Sequence, residues 1–239
     1  MSHSHGPVSV NGRLRQNLAN MWRNNNLSIV LLGLFLVCLV GQACAGWKVY
    51  NSEQRQHQQA EVSLGQFVAT GEFGETVFEN WESEFLQMAF YVILTVFLYQ
   101  RGSAESKKHD GSDAVEEDPS AHRKDPGAPS PVKAGGWRLS LYKNSLSLTL
   151  LVLFVFSFVA HGVTGARKHN EELLAHGSRE LVSAVGYMQT PEFWYESLQN
   201  WQSEFLAVLA IVVLSIWLRQ WGSPESKPVH APHSETGGG

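Results

Sequence analysis

The chain has 239 residues, of which 44% are hydrophobic and only 17% are charged, and its formal net charge is −4. Proteins that bind nucleic acids usually present a basic surface to the phosphates, so this composition argues against a nucleic-acid partner. The two cysteines, Cys38 and Cys44, lie in one apolar segment and form no C-x-x-C pair. The sequence therefore indicates neither a disulfide framework nor a zinc site built from cysteines.

Residues 1–26 are predicted to form an N-terminal tail, and residues 27–47 the first membrane span. A bilayer core about 30 Å thick requires roughly 20 apolar residues in a helix, because only the helix can satisfy its own backbone hydrogen bonds there. The basic tail and the Ala43-x-Ala45 sequence also resemble a cleaved signal peptide. We favour a retained span, because an internal apolar segment has the same character.

Three further apolar segments follow along the chain. The predicted spans cover residues 82–100, 146–165 and 202–221. Aromatic residues stand near the span ends, where amphipathic rings prefer the boundary between water and lipid. The predicted interface anchors are Trp47, Trp81, Trp201 and Trp221. The sequence thus predicts an all-α integral membrane protein with four transmembrane helices.

The two halves of the chain repeat one another. NWESEFL at residues 80–86 returns as NWQSEFL at residues 200–206, and GSAESK at residues 102–107 returns as GSPESK at residues 222–227. Because each half has two predicted spans, both would insert with the same orientation. The pattern predicts a tandem, parallel duplication of a two-helix unit, with partly helical external loops.

The predicted repeats cover residues 27–107 and 137–227. Between them, residues 108–136 are rich in Pro, Gly, Ser and mixed charge, and we predict a disordered cytoplasmic linker there. Residues 228–239 are predicted to be a disordered C-terminal tail.

Basic residues are distributed unevenly among the predicted loops. Thirteen of the 18 Lys and Arg residues lie before residue 27, between residues 101 and 143, or in the C-terminal stretch that begins at Arg219, and five lie in the two remaining loops. Cytoplasmic loops carry the excess of Lys and Arg in membrane proteins. We therefore expect both termini and the linker to be cytoplasmic.

Four stretches carry a resemblance to a known family. NNNLSIVLLGLF, GWKVYN, FENWESEFLQM and QRGSAESK resemble a family of uncharacterised bacterial integral membrane proteins that is defined only as a domain of unknown function. The resemblance covers most of the chain. It implies a multi-pass protein of the bacterial inner membrane, and it supplies no established activity and no catalytic residues.

A polar cluster is predicted where the second helix of each repeat enters the membrane. Ionisable groups at that depth are rare and normally face the protein interior. The predicted members are Asn80, Ser83, Glu84 and Gln42 in the first repeat, and Asn200, Ser203, Glu204 and His161 in the second. We expect two interhelical pairs, Gln42 with Glu84 and His161 with Glu204. The cluster is either a binding or proton-handling site, or a set of hydrogen bonds that holds helices together.

The histidines raise the possibility of a haem or metal site. His57 and His176 correspond through the repeat, and His161 and His169 are nearby, so a bis-histidine arrangement is conceivable. Their spacing matches no metal motif, and we therefore expect no cofactor and no metal.

The leading functional prediction is a structural or partner-binding membrane protein without catalytic activity. Its expected partners are the lipid bilayer and a membrane or periplasmic protein. Two alternatives stay open: a small channel or transporter that uses Glu84 and Glu204, and a haem-binding electron carrier. Polar residues along a whole span would favour transport, and the apolar runs contain almost none.

Overall fold

A computed structural model describes residues 10–110 and 113–237, with side chains from residue 15 onward. Within those ranges every regular element is a helix. The first nine residues of the predicted N-terminal tail, residues 111–112 of the predicted linker and the last two residues of the predicted C-terminal tail lie outside the described residues. The chain divides into two compact units, Met1–Ala69 and Thr70–Gly239.

The first unit contains a long helix and a one-turn helix. Helix α1 covers Val10–Gln56 and kinks at Asn25, where the backbone is not helical (φ −136°, ψ 19°). Helix α2 covers Leu64–Phe67. The chain folds back between them because the Asn51 side chain accepts a hydrogen bond from the backbone N–H of Val62 and donates one to its carbonyl, each at 2.9 Å.

The second unit contains six α-helices among the described residues. They are α3 (Gly71–Phe97), α4 (Ser130–Ala134), α5 (Gly136–Tyr142), α6 (Ser145–Ala175), α7 (Ala184–Tyr187) and α8 (Pro191–Leu214). Helix α3 packs along α6 and also contacts α8. The segment predicted as a disordered linker contains α4 and two short 3₁₀ helices, Ala114–Glu116 and Pro119–His122.

The turn that follows α6 is built like the turn that follows α1. Asn170 accepts a hydrogen bond from the N–H of Val182 (2.8 Å) and donates to its carbonyl (2.9 Å), as Asn51 does in the first unit. A serine then caps the one-turn helix in each case, Ser63 for α2 and Ser183 for α7. An oxygen at this position satisfies an N–H group that has no partner within the helix.

Three helices among the described residues are long and apolar enough to cross a membrane: Arg15–Gln56, Ser145–Ala175 and Pro191–Leu214. The prediction of four spans is therefore wrong by one, because α3 does not qualify. Helix α3 ends at Phe97, with Leu98 already extended. Because α3 ends there, any stretch of spanning length within it includes both Glu82 and Glu84, and it is more polar than the three candidate spans.

The C-terminal segment packs against the first GSxESK sequence. The Lys227 side chain is buried, and its Nζ donates to the backbone carbonyl of Gly102 and to those of Pro232 (3.3 Å), His233 (3.1 Å) and Glu235 (2.8 Å). We expected residues 228–239 to be disordered. Three carbonyls of this segment contact the ammonium group, and a buried charge requires such hydrogen-bond partners.

Candidate functional site

Helix α3 presents three glutamates on one face. Glu75, Glu79 and Glu82 follow a spacing of four and three residues, which places them above one another on a helix. That face meets α6 and α8, so that Glu75 and Glu82 are buried and Glu79 is half-buried. Three carboxylates thus converge where α3 packs against its neighbours.

The imidazole of His161, on α6, lies among these carboxylates and is 0% exposed. Its Nδ1 lies 2.8 Å from Glu82 Oε2, and because a carboxylate only accepts, Nδ1 carries the proton. The indole N–H of Trp201 donates to the other oxygen of Glu82 at 2.9 Å. Among the described residues His161 Nε2 has no hydrogen-bond partner, and it lies 3.5 Å from Glu196 Oε2.

Tyr187 and Lys168 connect the remaining carboxylates. The Tyr187 hydroxyl lies 3.1 Å from Glu75 Oε1 and 2.9 Å from Glu196 Oε2, so its single proton is shared between two acceptors. Lys168 Nζ lies 2.6 Å from Glu75 Oε2. The Asn200 amide donates to Glu79 Oε1. The cluster of Glu75, Glu79, Glu82, His161, Lys168, Tyr187 and Glu196 is called the polar network below.

Burial and mutual repulsion disfavour the charged acids of α3. Burial raises the pKa of Glu75 to about 7, although Lys168 opposes this shift. The pKa of Glu79 is raised by burial and by the negative charge of Glu196. Burial also raises the pKa of Tyr187, so that its hydroxyl stays protonated and remains a hydrogen-bond donor.

Three members of the polar network have the composition of a metal-ligand set. Glu75, His161 and Glu196 each offer one ligand atom, and these atoms lie within 4.8 Å of one another. The sequence predicted no metal, because no two of these residues are close in the chain. Packing of α3, α6 and α8 brings them together.

The structure changes the predicted pairing of His161. This residue pairs with Glu82, and the expected pair with Glu204 is therefore wrong. Glu204 is half-buried on α8, where its backbone carbonyl accepts from the side chain of Gln87 (2.8 Å), and Glu84 is exposed. The difference has a simple cause: the buried face of α3 is the face of Glu82, and Glu84 lies about 200° around the helix from it. The pairing of Gln42 with Glu84 remains a prediction.

Three other predicted cluster members, Asn80, Ser83 and Ser203, form hydrogen bonds within their own helices. Ser83 is buried and donates to the carbonyl of Asn80, and Ser203 donates to that of Asn200, each at 2.8 Å. The Asn80 amide donates to the carbonyl of Thr76 at 2.6 Å. Of the eight predicted residues, His161 and Asn200 contact the acids of the polar network.

The predicted interface anchors differ in their surroundings. The Trp47 indole donates to the Val62 carbonyl at 2.7 Å, and the Trp81 ring packs edge-on against Phe78. Trp201 donates to Glu82, whereas Trp221 is 86% exposed. Their placement at a water–lipid boundary remains a prediction.

The sequence contained a signal for the glutamates that we did not predict. Glu75, Glu79 and Glu82 follow the i, i+4, i+7 pattern of a buried helix face. A buried helix face normally carries apolar residues at these positions. Three acids with this spacing fit a solvent-exposed face as well, so the pattern alone does not distinguish the two. Lys168, Tyr187 and Glu196 have no comparable signal, since only packing brings them to the acids.

Comparison with known proteins places the chain in a family. No curated protein and no solved structure matches it. A family described as a domain of unknown function (DUF6766) matches residues 18–238, which is most of the chain and includes the whole polar network. The chain therefore belongs to the DUF6766 family.

Proposed function

We propose that the protein is a multi-pass protein of a bacterial inner membrane with a structural or partner-binding role and no catalytic activity. One observation carries the proposal: α1, α6 and α8 expose most of their large apolar side chains, which water would disfavour and lipid would cover. The polar network supports a structural role, because it joins α3, α6 and α8 by hydrogen bonds between side chains.

We further propose that the chain arose by duplication of a two-helix unit. The two asparagine-centred turns, after α1 and after α6, support this, since the sequence repeat assigns Asn51 to Asn170. The caps of the following long helices also correspond, because Thr70 caps α3 and Thr190 caps α8 through the same side-chain hydrogen bond.

We propose a membrane orientation only for the second half of the chain. Placing both termini in the cytoplasm required an even number of crossings, and three candidate spans do not provide one. The basic residues still favour a cytoplasmic location for the segment before α6 and for the segment after α8. In that arrangement the turn between α6 and α8 faces the periplasm.

Cysteine labelling tests this proposal. The native cysteines are Cys38 and Cys44, and replacing both with alanine creates a background for single cysteines. In intact spheroplasts, a membrane-impermeant maleimide should label Ser178→Cys, in the turn after α6, and should label Ser120→Cys only after the membrane is opened. The protein should also stay in the pellet after an alkaline carbonate wash. Release by carbonate, or labelling of Ser120→Cys from outside, would contradict the proposal.

A second candidate is a small channel or transporter that uses Glu84 and Glu204. Its supporting observation is that α3 meets α8 beside these residues, where the Gln87 side chain donates to the backbone carbonyl of Glu204 at 2.8 Å. Ion flux into liposomes that contain the purified protein tests it, with the Glu84→Gln/Glu204→Gln double variant as the comparison. An optical spectrum of the same sample tests the haem alternative, since bound haem gives an intense Soret band whichever residues ligate the iron.

A further inference from the structure

The nitrogen His161 Nε2 is the atom of the polar network that the structural role does not explain. His161 is fully buried, and its Nε2 has no hydrogen-bond partner in the part of the chain that the structure describes. The nitrogen faces Glu196 Oε2 at 3.5 Å. A buried polar atom without a partner loses its hydration and gains no hydrogen bond in return, which destabilises the folded state. A nitrogen in this state, pointing at carboxylates, is suited to a cation.

We propose that Glu75, His161 and Glu196 bind one divalent transition-metal ion of the Zn²⁺ type. The ligand atoms lie within 4.8 Å of one another. Two ligands about 2.0–2.1 Å from a tetrahedral zinc ion stand about 3.4 Å apart, which is close to the separation of His161 Nε2 from Glu196 Oε2. Imidazole nitrogen together with carboxylate oxygen favours zinc over the all-oxygen sites that suit magnesium and calcium.

The surroundings of the three ligands resemble those that hold metal ligands in place. Glu82 accepts the Nδ1 proton of His161, which leaves Nε2 free to coordinate, and a carboxylate is a common partner of metal-bound histidine. The Tyr187 hydroxyl lies within hydrogen-bond distance of both ligand carboxylates. Lys168 pairs with Oε2 of Glu75, so the oxygen that would bind the metal is Oε1, which also lies 3.1 Å from the Tyr187 hydroxyl.

Charge and access also favour a cation. Four carboxylates of the polar network, those of Glu75, Glu79, Glu82 and Glu196, converge around His161 and Lys168. A divalent ion would offset the excess negative charge in a buried place, where repulsion is weakly screened. The side chain of Glu196 is 19% exposed, which provides a path for entry.

The sequence repeat does not supply a second copy of this ligand set. The positions that correspond to Glu75, His161 and Glu196 carry Tyr195, Gln42 and Thr76. The corresponding positions therefore offer neither an imidazole nor a carboxylate. We expect one metal ion per chain rather than two.

Zinc titration of the full chain in mild detergent tests the proposal. The protein is purified with a tag that contains no histidine, stripped with a chelator and titrated with Zn²⁺ by calorimetry, with metal content measured by mass spectrometry. The wild type should bind one tight equivalent that raises its melting temperature. Glu196→Gln and His161→Gln should lose that equivalent, and Tyr187→Phe should weaken it by about 10–100-fold.

A matched pair of residues provides the control. His169 and Glu192 also bridge α6 and α8, at 3.2 Å, but without a third ligand. The His169→Gln and Glu192→Gln variants should keep the tight equivalent. Circular dichroism checks that each variant is folded, and Glu196→Gln retains an oxygen that can accept from Tyr187.

Cobalt provides a readout that does not depend on the variants. Co²⁺ bound by wild-type protein at a site of low coordination number should give visible absorption bands that Zn²⁺ removes. Absence of a tight equivalent in the wild type, or equal zinc binding by wild type and both ligand variants, would overturn the proposal.

Discussion

His161 is held by contacts on several sides. Phe193 stacks on its ring at a centroid distance of 4.6 Å, and Glu82 orients it through Nδ1. Glu82 is itself held by Trp201. Because each group fixes the next, a change at Trp201 is expected to reach His161 without touching it.

At the residue scale, we predict that Trp201→Phe destabilises the protein. The change leaves the buried Glu82 Oε1 without its indole donor, which should cost about 1–3 kcal/mol in the free energy of unfolding. Thermal unfolding in detergent measures the loss. Trp221→Phe is the control, because Trp221 is 86% exposed, and its melting temperature should equal that of the wild type. Equal melting temperatures for both variants would contradict the prediction.

At the element scale, glycines determine how closely α3 approaches α6. A Cβ on Gly71 would lie 2.3 Å from the backbone nitrogen of Lys168, an atom that cannot move without moving α6. Gly74 is a second close contact between α3 and α6, where a Cβ would lie 2.6 Å from the Thr164 side chain. Small residues at these contacts let the backbones approach, which brings the acids of α3 to His161.

We therefore predict that Gly71→Ala separates α3 from α6 and lowers the free energy of unfolding by about 1–3 kcal/mol, the usual cost of overpacking. Gly33→Ala is the matched control. Gly33 also lies in a helix, but an added Cβ there meets nothing within 4 Å. Its substitution should leave stability unchanged or increase it by roughly 0.5–1 kcal/mol. Chemical or thermal unfolding compares the two, and equal effects would disprove the packing argument.

At the scale of the whole molecule, the two copies of GSxESK are used differently. Lys227 inserts into a ring of backbone carbonyls that includes Gly102 from the first copy, whereas the corresponding Lys107 pairs with Glu116. A hydrogen bond between Ser103 and Ser215 (3.0 Å) lies beside it. The first copy of GSxESK thus contacts residues that are more than one hundred positions away in the chain.

We predict that Lys227→Met releases residues 228–237. Without the ammonium group, four backbone carbonyls lose a charged donor, and the segment should become sensitive to limited proteolysis, with cleavage located by mass spectrometry. Lys107→Met should leave this segment as resistant as in the wild type. Unchanged resistance in Lys227→Met would show that other contacts hold the segment.

Much of the architecture could be predicted from local patterns. Apolar runs of spanning length predict α1, α6 and α8, because a helix in lipid needs about 20 such residues regardless of its neighbours. Capping residues such as Thr70 and Thr190 also act over only a few positions, so they indicate from the sequence alone where α3 and α8 begin. The prediction of four spans was wrong because α3 ends at Phe97, and hydropathy alone does not indicate where that helix ends.

By itself, the sequence determined that the chain is helical and carries long apolar segments, since hydropathy is a property of residue order. Only the tertiary structure decided which polar residues form a site. Glu84 and Glu82 are two positions apart, yet one is exposed and the other contacts His161. Which of them is buried depends on the face of α3 that meets α6 and α8. That choice is made by packing between helices that are far apart in the chain.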